Sequence, residues 1–146
     1  MRSMGLDFGD KTIGVSISDP MGWTAQSKGV IRRTNLADDF SELKKYIDEY
    51  SVDEIVVGLP VNMNGTMGKR AEKTNQFVNF LKKRLDMPIK LWDERLTTSQ
   101  AEGILLEADM SRKKRKKVID QIAANIILQS YLDAKSKNKE EIRNGK

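Results

Sequence analysis

The chain has 146 residues, 38% hydrophobic and 32% charged, with a net charge of +5 and neither cysteine nor histidine. That composition excludes a disordered chain, disulfides, thiol nucleophiles, the usual structural zinc sites and any Ser-His-Asp triad. Any catalysis must therefore use carboxylates, Lys, Arg, Tyr, hydroxyls or a metal held by oxygen ligands. The positive charge favours a polyanionic partner. No apolar run approaches the roughly 18 residues needed to span a bilayer. Asp7 and Asp10 interrupt anything resembling a signal-peptide apolar region. The expectation is a cytoplasmic protein without a membrane partner. It would have one domain over residues 1–135 and a polar tail over 136–146.

The N-terminal stretch Met4 to Asp19 reads with period two as a strand, a turn at Asp10-Lys11 and a second strand. Met4, Leu6 and Phe8 share one face, and Gly5, Asp7 and Gly9 the other. Ile13, Val15 and Ile17 alternate with Thr12, Gly14, Ser16 and Ser18. The hairpin thus has one apolar face and one face of small or polar residues around a single carboxylate, Asp7. Small residues in a strand mark a place where something approaches closely.

Asp19-Pro-Met-Gly22 is a turn, and residues 23–32 read as a third antiparallel strand. Asn35 caps a helix running to about Tyr50, with Phe40, Leu43 and Ile47 inward. Ile55 to Pro60 is a continuous apolar run, the pattern of a buried parallel strand. A Gly- and Asn-rich loop, 61–68, leads to a helix over 69–85 with Phe77, Phe80, Leu81 and Leu85 periodic. Residues 89–94 form the next strand. Ser99 and Glu102 fit a capping box for a helix to about Ala108. Residues 118–134 form the last helix, with Ile119, Ile122, Ile126 and Ile127 inward. The sum is an α/β sandwich on a mixed sheet.

Three acidic positions resist explanation as surface decoration. Asp7 stands in its clearing. Asp93-Glu94 ends a parallel strand, where ligands of α/β sheets bind. Adjacent strand residues face opposite sides, so only one of the two can address Asp7, and the pattern leaves both open. Asp120 lies in the first turns of an otherwise apolar helix, with Ala123 and Ala124 allowing close approach to the sheet. The plain alternatives are a strand-ending Asp, a loop acid paired to Arg95, and a helix-start Asp complementing the macrodipole.

Arg112 to Lys117 are six contiguous cations ending three residues before Asp120. Alone, such a run is a solvated segment. Cations at the rim of a carboxylate cluster are the layout for metal-dependent cleavage of a phosphodiester. Lys and Arg neutralise backbone phosphates, and carboxylates hold Mg²⁺ or Mn²⁺. Two such ions, roughly 4 Å apart, would activate a water and stabilise the leaving oxygen.

Asp7 to Asp19, Gly58-Leu-Pro60 with Asn62 and Gly65, Asp93 to Thr98, and Asp120-Gln-Ile-Ala-Ala124 together resemble the bacterial YqgF family. Its members are also called RuvX and are regarded as candidate Holliday junction resolvases or pre-16S rRNA nucleases. The resemblance covers nearly the whole chain. It implies an RNase H-like fold: a mixed five-stranded sheet, three antiparallel then two parallel strands, with helices on both faces. It also implies a divalent-metal site of Asp7, Glu94 and Asp120, with Asp7 bridging the ions, and it favours Glu94 over Asp93. Lys11, Asn62, Arg70, Arg95, Lys113, Lys114, Arg115, Lys116 and Lys117 would contact nucleic acid, either precursor rRNA or branched DNA. A monomer and a homodimer both suit it. Many RNase H-like relatives carry the second acid on the strand beside the first. Here that strand ends in Gly58-Leu-Pro60, and the acid comes one strand later, which suits one ion as well as two.

Two other readings compete. Actin-like phosphotransferases also open on Asp-x-Gly, but they need two copies of the fold, and no second copy is present. A non-catalytic binding or ribosome-assembly factor would use the same cations without cleavage.

Overall fold

The computed structural model describes residues 2–62, 64–96 and 122–136. The predicted capping box at Ser99, the short helix to Ala108, the basic run and Asp120 lie outside the described residues.

Five strands form one sheet in the order β3-β2-β1-β4-β5. β1 (Ser3–Phe8) pairs antiparallel with β2 (Thr12–Ser18), and β2 with β3 (Ala25–Arg32). On the other side β1 pairs parallel with β4 (Glu54–Leu59), and β4 with β5 (Ile89–Asp93). This is the mixed sheet expected from the sequence, with β1 at its centre. The turn closes where expected, the Gly9 N–H donating to the Thr12 carbonyl at 2.8 Å.

Period two sorts the sheet into two faces. Met4, Leu6, Phe8, Ile13, Val15, Ile17, Ile55 and Val57 form one core with α1 (Leu36–Tyr50) and α2 (Lys69–Lys82). Leu43, Ile47, Phe77 and Leu81 are the helices' contributions to it. Each such side chain, fully buried, stabilises by about 1.5–3 kcal/mol. The opposite face packs a helix over 122–136, here α3, through Val56, Ile127, Leu128, Tyr131 and Leu132. No described helix is long and apolar enough to cross a membrane.

Asn35 caps α1 as predicted, its side chain accepting from the Asp38 N–H at 2.9 Å. Several details differ from expectation. β3 begins at Ala25 rather than residue 23, because the Asp19 carboxylate accepts the backbone N–H of Trp23 (2.7 Å) and Thr24 (3.0 Å) and holds both in the turn. α2 stops at Lys82 rather than residue 85, although Leu85 still packs against the core. In α3 the buried face is Ala124, Ile127, Leu128, Tyr131 and Leu132, while Ile122 and Ile126 are half-buried.

Candidate active site

Alternation along β1 puts Ser3, Gly5 and Asp7 on the α3 face. Gly5 is there because α3 comes down on it: a Cβ on Gly5 would lie 2.6 Å from Leu128 Cβ and 2.9 Å from the Ala124 carbonyl oxygen. Beside it, the Ser16 hydroxyl donates to Asn125 Oδ1 at 2.8 Å. The clearing read from the sequence is therefore partly filled by the protein itself. Ala124 serves the close approach expected of it.

α3 runs antiparallel to β1. Its Tyr131 and Lys135 reach Glu54, the partner of Ser3, while Ala124 and Leu128 cover Gly5. Its described N-terminal end therefore lies toward the Asp7 end of β1.

The second carboxylate arrives from β5. Lys90 and Trp92 face α3, bonding to Tyr131 and Ser130. Period two carries the next such position to Glu94, at the start of a short 3-10 turn, Glu94–Leu96. β4 lies between β5 and β1, so Glu94 must cross it to meet Asp7. Gly58 makes that possible: a Cβ there would lie 3.0 Å from both Cγ and Oε1 of Glu94. The same Cβ would lie 2.4 Å from Ile127 Cδ1.

Glu94 is hydrogen-bonded to Asp7. Burial, then the charge and hydrogen bond of Asp7, push its carboxyl up to about 8 from an ordinary 4.5, with Arg70 opposing. The pair shares a proton at neutral pH. Asp93 behaves oppositely. Its carboxylate accepts the Arg95 backbone N–H at 2.9 Å and a fork from Nε and Nη2 at 2.9 and 2.7 Å. These bonds hold it below the usual carboxylate range. The ambiguity between the two neighbours is thus resolved: Glu94 meets Asp7, and Asp93 is occupied by Arg95.

The predicted cations take different places. Lys11 is exposed in the β1–β2 turn, and Arg70 is exposed in the first turn of α2, near enough to Glu94 to act on its charge. Arg95 is tied to Asp93. Asn62 is committed to its own loop, its amide donating to Thr66 Oγ1 at 3.0 Å. Lys113, Lys114, Arg115, Lys116, Lys117 and Asp120 lie outside the described residues. Sequence reasoning overlooked Arg33, whose Nη1 donates to the Gly9 carbonyl at 2.7 Å and braces the turn after Asp7. It also overlooked Gly58 as the opening for Glu94. The signal was available: a glycine in an otherwise Ile/Val/Leu strand marks close approach.

The family model described as RuvX, Holliday junction resolvase, matches residues 1–134. The chain belongs to the RuvX family. Among similar relatives, proteins from Desulforamulus reducens and Halothermothrix orenii are each 58% identical over 137 residues, 94% of this chain and 100% and 98% of theirs. A Clostridium botulinum protein is 56% identical over the same length. All three are named as candidate pre-16S rRNA nucleases. Among solved structures, Thermus thermophilus RuvC with a Holliday junction substrate aligns at TM-score 0.56 and 12% identity, covering 93% of this chain and 96% of that one. The fowlpox virus Holliday junction resolvase aligns at 0.51 and 13%, covering 92% and 99%. Likeness at that identity concerns the fold, which is RNase H-like.

Proposed function

We propose that this family member is a divalent-metal-dependent endonuclease that hydrolyses phosphodiester bonds in structured nucleic acid, acting on the 5′ end of the small-subunit rRNA precursor. The observation that carries the reading is the meeting of Asp7 and Glu94 across Gly58 at one end of the sheet. Two carboxylates in hydrogen-bond contact repel unless something positive lies between them. A proton held up to about pH 8 does that here. The oxygen donors and the retained proton fit Mg²⁺ or Mn²⁺, which would take the proton's place. Among the described residues no third acidic side chain completes such a group. Asp120, two residues before the described part of α3, is the proposed third ligand, and the end of α3 nearest to it lies toward Asp7.

When bound, such ions supply Lewis acidity that activates a water and offsets charge on the leaving oxygen. The chain's own residues do the rest. Asp7 and Glu94 define the position of the cleaved phosphate. Asp7 sits on the central strand, paired to Gly14 of β2, one residue beyond Leu6, where the ladder with β4 ends. Arg70, which acts on the Glu94 charge, and the exposed Lys11 would meet the phosphodiester backbone, and the run 112–117 would extend that contact. Asp93 holds Arg95 beside the loop, near Gly65.

The relatives' naming favours precursor rRNA. The family's description and the RuvC-like fold favour a second reading, resolution of branched DNA. One preparation offered both substrates with Mn²⁺ separates them. The expected result is cleavage at the 5′ end of precursor 16S rRNA. Cutting confined to four-way DNA junctions would establish the second reading, and cutting of neither would favour a binding or assembly factor.

A further inference from the structure

On the sheet face opposite Asp7, at the same end of β1, lies a cleft of about 430 Å³, within the range of small-molecule sites. It opens between the β1–β2 turn, the start of α1 and α2. Its floor is built around Phe8, whose ring stacks on Phe77 with centroids 4.2 Å apart. The Arg33 guanidinium lies 4.2 Å from the Phe8 centroid.

Arg33 is held on several sides. Nη1 donates to the Gly9 carbonyl at 2.7 Å and to the Asp10 carbonyl at 3.2 Å. Nε stands 3.8 Å from the carboxylate of Asp39, which is 2% exposed. Fixing a long side chain this way costs about 2 kcal/mol of rotamer entropy. The result is a flat cation locked in place with a quarter of its side chain still exposed. Lining the cleft around it are Leu36, 40% exposed, Gln76, and Lys73, whose ammonium stands 3.7 Å from the Asp10 carboxylate on the same rim.

A planar fixed cation, an apolar neighbour and an amide with both donor and acceptor match one chemical class. Nucleobases stack on Arg planes and are read along their edges by amides. Lys73, paired at 3.7 Å with the exposed Asp10, leaves the rim close to neutral, so the cleft suits the base rather than the attached phosphate. The position adds a further constraint. Phe8 follows Asp7, so their Cα atoms are about 3.8 Å apart while their side chains leave opposite faces of the strand. A strand whose phosphate sits at Asp7 would reach the mouth of this cleft by rounding the β1–β2 turn.

We propose that the cleft is a nucleobase pocket, taking one unpaired base of the bound strand against Arg33 while a neighbouring phosphate sits at Asp7. It deepens the nuclease reading and rests on it for the position of the phosphate. An enzyme acting on strand ends or branch points meets unpaired bases, and this pocket would set its register on the strand.

The test reads binding, not cleavage, on the Asp7→Asn chain. Single-stranded RNA from the precursor 5′ region is made abasic at one nucleotide at a time. The expected result is one position where losing the base weakens binding roughly tenfold, the scale of one stacked base. Filling the cleft from α2 with Gln76→Trp, or from α1 with Leu36→Trp, should weaken binding of intact RNA by a similar factor and erase that sensitivity. Either plugged chain carries the test if the other fails to fold. Absence of any base-sensitive position, or sensitivity that survives in a folded plugged chain, would overturn the proposal. So would adenosine monophosphate displacing the RNA in an equimolar mixture, which would assign the cleft to free nucleotides. Wild-type chain unable to cut RNA would instead sink the nuclease reading, and this binding result would stand apart from it.

Discussion

Gly58 and Glu94 compete for one volume. The space a Cβ would fill on Gly58 is bordered at 3.0 Å by Cγ and Oε1 of Glu94. An acid arriving from β5 reaches Asp7 only because the strand between them presents no side chain there. The missing acid at the end of β4 and the presence of Glu94 one strand later are a single arrangement.

Gly58→Ala should therefore displace Glu94 and crowd Ile127. Overpacking of this kind costs about 1–3 kcal/mol. Activity should suffer more than stability, falling on the order of 100-fold, because Glu94 loses its place beside Asp7. Single-turnover cleavage beside a chemical melt would separate the two effects. A folded Gly58→Ala chain with full activity would mean Glu94 does not need that space.

Gly5→Ala should behave differently. Its Cβ would meet Leu128 Cβ at 2.6 Å and the Ala124 backbone at 2.9 Å. The backbone cannot yield as a side chain can, so α3 would have to lift off β1. The expected loss is about 2–4 kcal/mol in urea unfolding.

The Asp7–Glu94 pair gives the metal-free chain a distinctive pH dependence. Folded, Glu94 keeps its proton to about pH 8; unfolded, it loses it near 4.5. Between those values the native state binds more protons, so stability should fall as pH rises and level off above about 8. Glu94→Gln should flatten that slope. Mn²⁺ must expel the proton, so its affinity should climb over the same interval. Calorimetric titration across that range checks both, and a pH-independent affinity would contradict the site.

Glu54 should show the opposite sign. It is buried at the far end of β4 and accepts from Ser3 (2.7 Å), Tyr131 (3.0 Å) and Lys135 (3.0 Å). Burial would raise its carboxyl, but those bonds outweigh it and hold it below 4.5. Its contribution is present above pH 4.5 and lost as pH falls through the lower folded value. Glu54→Ala should cost about 2–4 kcal/mol by unpinning α3, visible in a melt at pH 7 and diminished at pH 3.

Local pattern carried most of the fold. Alternation in Met4–Phe8 and Ile13–Ile17, the Asn35 cap and the apolar run at Ile55 are signals within a few residues, and each element formed where they pointed. What local pattern could not reveal depends on distant partners. Glu54 draws on residues 3, 131 and 135, and no motif marks it. Asp93 and Glu94 were inseparable until Arg95 claimed the first and β5 turned the second toward Asp7. The inward face of α3 was placed on its isoleucines, yet Tyr131 and Leu132 are buried because Trp92 and Val56 lie beneath.

On the proposed mechanism Asp7 belongs to the chemistry rather than to substrate capture. Cleavage and binding of precursor 16S rRNA, measured in parallel with Mn²⁺ for wild type and Asp7→Asn, test it directly. Cleavage should fall by about 1,000-fold or more in Asp7→Asn, with RNA affinity kept or improved, since a negative charge leaves a cationic surface. Equal cleavage by both chains, or binding lost together with cleavage, would contradict it.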